Sequence, residues 1–94
     1  LDFCHGCWSE MRGGEGVLDA LRYFGQRDRL FYIHFRDVVG GADHFTEVFL
    51  GDGNVDPLEV MRTLKAVRFN GFIIDDHVPR MVNDTEWCHR GRAW

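Results

Sequence analysis

The sequence predicts an α/β fold in which parallel strands alternate with helices. Three apolar segments, residues 1–4, 29–39 and 72–75, have the composition of strands, and two amphipathic segments separate them. This β-α-β-α-β order favours right-handed parallel β-α-β units, either in a doubly wound sheet or in part of a (β/α)8 barrel. A full barrel takes about 200 residues or more, so a chain of this length would supply about three of its eight β/α units.

The first predicted strand, LDFC, runs directly into the segment HGCWSEMRGGEG. The glycines and polar residues of this segment predict a loop. A helix is expected after the loop, because four apolar residues follow the spacing of one helical face and Gly25 can end the helix. These four residues are Val17, Leu18, Leu21 and Phe24.

The second predicted strand is RLFYIHFRDVV, which is rich in aromatic and β-branched residues. Its near-continuous apolarity is typical of a strand covered on both faces, as in parallel sheets, and His34 and Arg36 interrupt it. From Gly40 to Asn54, glycines and polar residues surround a small apolar patch and predict a long loop. Loops of this length are often functional.

The segment DPLEVMRTLKAV predicts the second helix. Asp56 is suited to cap it, Pro57 to occupy its first position, and Glu59 to complete a capping box. Its predicted buried stripe consists of Leu58, Met61, Leu64 and Val67. A left-handed turn is expected at Asn70-Gly71, before the third strand, FIID.

Composition limits the possible partners. The net charge is −4 and no Lys/Arg-rich run occurs, which argues against a nucleic-acid surface. No window approaches the roughly 18 apolar residues of a membrane span, and no signal peptide is evident, so no membrane partner and a cytoplasmic location are expected. Three cysteines are poor material for a disulfide framework and fit a reducing compartment. The chain begins with Leu1 rather than Met, and we expect it to be a piece of a longer protein.

Each predicted strand ends near a potential metal ligand. Cys4 closes the first strand, His34 lies within the second, and Asp76 and His77 follow the third. Spacings of 30 and 42 residues correspond to about one β-α repeat each, and active sites of parallel α/β proteins form at such strand ends. A thiolate, an imidazole and a carboxylate suit Fe(II), Mn(II), Co(II) or Zn(II) better than Mg(II). In the alternative interpretation, the three are a buried hydrophobe, a core histidine and a turn cap.

Four segments in this order resemble one enzyme family. They are FCHGCWSEM, FYIHFRDV, GDGNVDPLEVMRTLKAVRFNGFIIDDHVPRM and WCHRGRAW. Together they resemble the C-terminal part of the D-mannonate dehydratases, of the xylose-isomerase-like barrel superfamily, over nearly the whole chain. The resemblance implies that residues 1–94 are a C-terminal fragment of a single (β/α)8 TIM-barrel catalytic domain, inactive by itself.

The resemblance also implies a function and a site. Members of the family bind Mn(II) or Fe(II) and dehydrate D-mannonate to 2-keto-3-deoxy-D-gluconate in hexuronate (glucuronate) catabolism, and a homo-oligomer is expected for the complete protein. By position, the resemblance implies that Cys4, His34 and Asp76 are metal ligands. It likewise implies that His77 is the catalytic acid/base and that Arg36 binds the sugar acid. A further metal-binding histidine is expected on an upstream strand.

The chain departs from the family pattern at three positions. Cys7 stands where a hydroxyl residue is expected, Asp37 replaces the usual Asn, and Asp75 replaces the usual Pro. A second carboxylate beside Asp76 can change its ionisation or the shape of the loop. The tyrosine often regarded as a catalytic partner in the family has no match in this chain.

Two other functions remain open from the residues. A related metal-dependent sugar isomerase or epimerase barrel would use similar ligands, and only the Asp-His-x-Pro motif favours the dehydratase. A non-enzymatic zinc or thiol module would use Cys4, Cys7 and Cys88, and the first two would suit a redox role if a helix began directly after the strand. His44 and Glu47 could reach a substrate from the long loop, although solvent exposure is expected for both.

Overall fold

The computed structural model describes residues 1–94 and contains a three-stranded parallel sheet, a two-stranded hairpin and three helices. In chain order, the elements are β1 (Asp2–Cys4), α1 (His5–Gly25), β2 (Tyr32–Phe35), β3 (Asp37–Gly41), β4 (His44–Val48), α2 (Pro57–Ala66), β5 (Phe72–Asp75) and α3 (His89–Ala93). The parallel sheet has the order β1-β2-β5, whereas β3 and β4 are antiparallel. The predicted mixed α/β fold, with helices connecting parallel strands, is therefore confirmed.

The register of the parallel sheet aligns the strand ends. Cys4 lies opposite His34, and His34 lies opposite Ile74. All three strands run in the same direction, so their C-terminal ends lie at one edge of the sheet. The residues that end or follow the strands are thereby brought close together.

Helix α1 begins at His5, directly after β1, and the loop predicted for this segment is wrong. Gly13 divides the helix with φ 68° and ψ −177°, a conformation that glycine adopts much more readily than other residues. The first segment is helical despite its composition because it packs against the protein, with His5, Gly6 and Ser9 buried. Tertiary packing has overridden the weak local preference of this stretch.

The second segment of α1 follows the sequence prediction. Val17, Leu18 and Leu21 are buried, Phe24 packs against the same core, and the helix ends at Gly25. The left-handed residue after the helix is Asp28, with φ 58°.

A β-hairpin replaces both the end of the predicted second strand and much of the predicted loop. Strand β2 ends at Phe35, and β3 and β4 then pair across a turn formed by Ala42 and Asp43. The buried carboxylate of Asp37 holds this corner, since it accepts hydrogen bonds from the backbone N–H groups of Val38, Gly51 and Gly53 at 3.0–3.1 Å. Long-range bonds of this kind leave no periodic signal in the sequence.

Helix α2 begins as predicted. Asp56 accepts a hydrogen bond from the backbone N–H of Leu58 at 2.8 Å, and Pro57 is the first helical residue. Glu59 forms an ion pair with Arg62 instead of completing the predicted capping box. The cap is a local feature, which explains why the sequence alone reveals it.

The buried face of α2 differs from the predicted stripe. Val60, Thr63 and Leu64 are buried, whereas Leu58 and Met61 are 62% and 44% exposed. Apolarity alone did not identify the face, because which side is covered depends on where α1 lies. The left-handed turn after the helix is also displaced, since Arg68 has φ 59° and neither Asn70 nor Gly71 has positive φ.

The core lies between the sheet and helices α1 and α2. Its ten buried residues come from the strands, both helices and their connections: Phe3, Val17, Leu18, Ala20, Leu21, Leu30, Ile33, Val55, Val60 and Leu64. Strand β5 lies at the edge of the sheet, and Phe72 is 75% exposed. None of the helices combines the length and the apolarity needed to cross a membrane.

Replacing Asp56 by alanine is expected to lower the free energy of unfolding by about 1 kcal/mol, because it removes the side-chain acceptor that caps α2. Chemical denaturation of the protein checks this value. Asp52→Ala is the matched control, since it removes an exposed carboxylate that accepts no hydrogen bond at a helix start. Equal losses in the two variants would contradict the capping role.

Candidate metal centre

Three side chains of different chemistry converge at the C-terminal edge of the parallel sheet. The ligand atoms of Cys4, His34 and Asp76 all lie within 4.8 Å of one another, and the three side chains are partly buried. Asp76 Oδ2 is 3.8 Å from Cys4 Sγ and 4.0 Å from His34 Nδ1. The three residues singled out from the sequence as potential ligands are therefore neighbours in space.

Strand geometry explains this convergence. Cys4, His34 and Ile74 are register partners, and register partners in a parallel sheet direct their side chains to the same face. Asp76 lies two residues beyond Ile74 and returns to that face, because side chains alternate with a period of two. Arg36 follows His34 by the same interval and also reaches the cluster.

The donor atoms fit a divalent transition metal. Ligand bonds of about 2.0–2.3 Å place two tetrahedral ligands about 3.5 Å apart, and the observed separations from Asp76 Oδ2 are only slightly larger. Arg36 carries one positive charge, and the three carboxylates that contact it, those of Glu10, Glu47 and Asp76, carry one negative charge each. Together these four side chains have a net charge of −2. Both the geometry and the charge suit a divalent cation.

The guanidinium of Arg36 is the centre of a buried ion-pair network. Only 6% of the residue is exposed, and its Nη2 lies 2.7 Å from Glu10 Oε1, its Nη1 2.9 Å from Glu47 Oε1 and its Nε 3.3 Å from Asp76 Oδ2. Nη2 also donates to Cys7 Sγ at 3.5 Å. Three of the five N–H donors of the guanidinium therefore hydrogen-bond protein groups, whereas the contact of Nε with Asp76 is an ion pair without hydrogen-bond geometry.

A glycine makes room for this network. A Cβ atom at Gly6 would come within 2.7 Å of Arg36 Nε and Cζ, so the guanidinium can lie across the start of α1 only because position 6 has no side chain. Burial alone would lower the pKa of Arg36, but its hydrogen bonds, the strongest of them to Glu10, raise the pKa above its ordinary value. Arg36 is therefore charged.

His77 lies beside this network at the tip of β5. It is exposed, with Nδ1 3.2 Å from Glu47 Oε1 and Nε2 3.7 Å from Asp76 Oδ1. The predicted acid/base thus adjoins the predicted metal ligands and projects toward solvent. Its role stays a prediction, as does contact between Arg36 and a sugar acid.

Glu10 is the residue that sequence reasoning left without a role. It belongs to the Ser-Glu-Met motif, which lies in the segment whose composition predicts a loop. Once α1 begins at His5, Gly6 and Glu10 are one helical turn apart and face Arg36 together. Recognising the helix start would have revealed this pairing.

The cysteines are arranged differently from what the zinc or thiol module requires. All three are free, and the metal-compatible group includes Cys4 but neither Cys7 nor Cys88. A helix does begin directly after the strand, as a redox Cys-x-x-Cys requires. However, burial raises the pKa of the Cys4 thiol, whereas reactive cysteines have a lowered pKa.

Asp37 and Asp75, which stand where the family usually has Asn and Pro, each form specific contacts in the structure. Asp37 uses both carboxylate oxygens to accept backbone N–H groups, as described for the hairpin. Asp75 forms an ion pair with Arg92 of α3 and lies apart from the metal-compatible group.

Comparisons with known proteins agree on one family. The family model for D-mannonate dehydratase (UxuA) matches residues 1–93. Among solved structures, mannonate dehydratase from Streptococcus suis serotype 2 is similar, with a TM-score of 0.76 and 26% sequence identity. The match covers 90% of this chain and 25% of that protein, so the chain spans about a quarter of the length of the protein that it resembles.

Loss of any of the three converging side chains is expected to remove bound metal. In the complete protein, Cys4→Ser, His34→Ala and Asp76→Ala each delete a donor, whose deprotonated form a metal requires. Elemental analysis of the purified variants measures the metal content. Cys7→Ser is the matched control because it removes a thiol three residues away that lies outside the metal-compatible group, and it is expected to keep the metal. Metal retained in the His34 and Asp76 variants would refute the ligand assignment.

Proposed function

Because this chain belongs to the D-mannonate dehydratase family, we propose that the complete protein is a metal-dependent hydro-lyase that converts D-mannonate to 2-keto-3-deoxy-D-gluconate in hexuronate catabolism. The observation that carries the proposal is the convergence of Cys4, His34 and Asp76, the positions at which the family resemblance implies ligands. The activity is assigned to the complete protein, since the chain spans about a quarter of its solved relative.

We assign the chain to about three β/α units of a (β/α)8 barrel. The parallel order β1-β2-β5 supports this assignment, because each outer strand has one edge free to pair with a neighbouring unit. Strand β5 also exposes apolar side chains, including Phe72 and Ile74, that a further unit would cover. In a barrel, the edge that carries Cys4 and His34 is the face where active sites form.

Dehydration of a sugar acid makes two chemical demands. The proton on the carbon beside the carboxylate is weakly acidic, so its removal requires stabilisation of the negative charge that develops on the carboxylate. The hydroxyl on the next carbon leaves only if it is protonated. A Mn(II) or Fe(II) ion held by Cys4, His34 and Asp76 would supply the first requirement as a Lewis acid.

His77 is suited to the second demand. An imidazole can accept and donate protons near neutral pH. The ring of His77 is exposed, and its Nε2 is 3.7 Å from Asp76 Oδ1. A substrate held beside Asp76 would place this nitrogen near both reacting groups, so His77 could accept the proton from the carbon beside the carboxylate and deliver it to the leaving hydroxyl, which departs as water.

Arg36 supports the site through the protein groups that it holds. Its guanidinium lies 3.3 Å from Asp76 Oδ2, next to the predicted metal position. With Glu10 and Glu47 already bound, its contacts favour orientation of Asp76 over direct contact with the sugar acid. Binding of the sugar acid carboxylate by Arg36 stays a prediction.

Replacement of His77 by alanine in the complete protein is expected to leave the metal content unchanged and to lower kcat about 10²–10⁴-fold, the usual contribution of a positioned acid/base. The assay is formation of the keto acid from D-mannonate, with metal content measured on the same samples. His89→Ala serves as the control, since His89 is an exposed histidine on α3 outside the metal-compatible group. Substantial activity in the His77 variant would overturn its role, and a wild-type protein inactive on D-mannonate would overturn the proposed reaction.

A further inference from the structure

Glu47, on strand β4, makes the hydrogen bond that holds the ring of His77. One carboxylate oxygen, Oε1, lies 3.2 Å from His77 Nδ1 and 2.9 Å from Arg36 Nη1. No other hydrogen bond reaches the ring of His77, which is 70% exposed in its side chain and follows β5 in a segment without regular structure. The orientation of this imidazole therefore depends on Glu47.

The carboxylate is itself rigidly placed. Glu47 pairs with Val38 in the β3–β4 hairpin, which fixes its backbone. Its side chain is held by Arg36, which is buried and bound on its opposite side by Glu10. A continuous chain of contacts thus runs from α1 through Arg36 and the hairpin to His77.

This contact determines which ring nitrogen faces the predicted metal ligands. Nδ1 is the nitrogen that contacts Glu47, and Nε2 lies 3.7 Å from Asp76 Oδ1. Rotation of the ring away from Glu47 would move Nε2 out of this position.

We propose that Glu47 is a positioning residue for the proposed dehydratase, which fixes the orientation of the His77 ring from the β3–β4 hairpin. This inference rests on the proposed function insofar as it concerns turnover, whereas the contact between the two side chains is independent of it. It also gives a functional role to the β3–β4 hairpin, which is inserted between β2 and α2 and lies outside the parallel sheet.

The kinetic test uses Glu47→Ala and Glu47→Gln in the complete protein. Glu47→Ala is expected to lower kcat about 10–100-fold, as loss of an orienting partner commonly does, with little change in KM. Glu47→Gln is expected to recover part of the loss, because its carbonyl oxygen can still accept a hydrogen bond from Nδ1. Metal content measured on the same samples verifies that the site still forms.

Glu10→Ala and Glu10→Gln are the matched controls. Glu10 binds Arg36 at 2.7 Å, as Glu47 does at 2.9 Å, but it makes no contact with His77. Both pairs of variants therefore weaken the Arg36 network. A larger loss of kcat at position 47 than at position 10 measures the contribution of the contact with His77. Equal losses of kcat at the two positions would overturn the proposal.

A second readout does not require turnover. Crystal structures of the complete wild-type protein and of its variants report the orientation of the His77 ring. The ring is expected to keep its position in Glu10→Ala and to be displaced in Glu47→Ala, because only the second variant loses the contact with Nδ1. An unchanged ring orientation in Glu47→Ala would refute the positioning role even if the wild-type protein failed to act on D-mannonate, and that failure would refute only the proposed function.

Discussion

The ion-pair network around Arg36 is the interaction on which the site depends. Its guanidinium joins Glu10 of α1, Glu47 of the hairpin and Asp76 at the tip of β5. Loss of one partner from a buried ion pair typically costs about 3–5 kcal/mol, because the remaining charge stays buried without compensation. The network therefore couples three segments that are distant in sequence. The absence of a side chain at Gly6 makes it sterically possible.

The parallel sheet supplies the other constraint. Its register brings Cys4 and His34 side by side, and the two-residue period returns Asp76 to the same face. The sheet thus sets the positions of the predicted ligands, and the ion-pair network sets the orientation of the carboxylate between them. Backbone pairing and side-chain electrostatics therefore contribute separately to the arrangement of the cluster.

The elements that the sequence predicted correctly are those with a local cause. The cap at Asp56, the buried stripe of α1 from Val17 to Leu21, and the strand ends near Cys4 and Asp76 each follow from neighbouring residues. The failures concern features that depend on distant partners. The early start of α1 requires the packing of its first turn, and the hairpin requires the hydrogen bonds that Asp37 accepts from Gly51 and Gly53.

The sequence by itself determined the β-α-β-α-β order of the parallel strands and their connecting helices, the side chains available as ligands and the family to which the chain belongs, because periodicity, caps and ordered motifs are written in adjacent residues. Only the tertiary structure decided that Glu10 and Glu47 enclose Arg36, that Glu47 contacts His77, and that α2 buries Val60 rather than Leu58. These contacts join residues up to 30 positions apart. Their formation depends on how the elements pack, which no local pattern specifies.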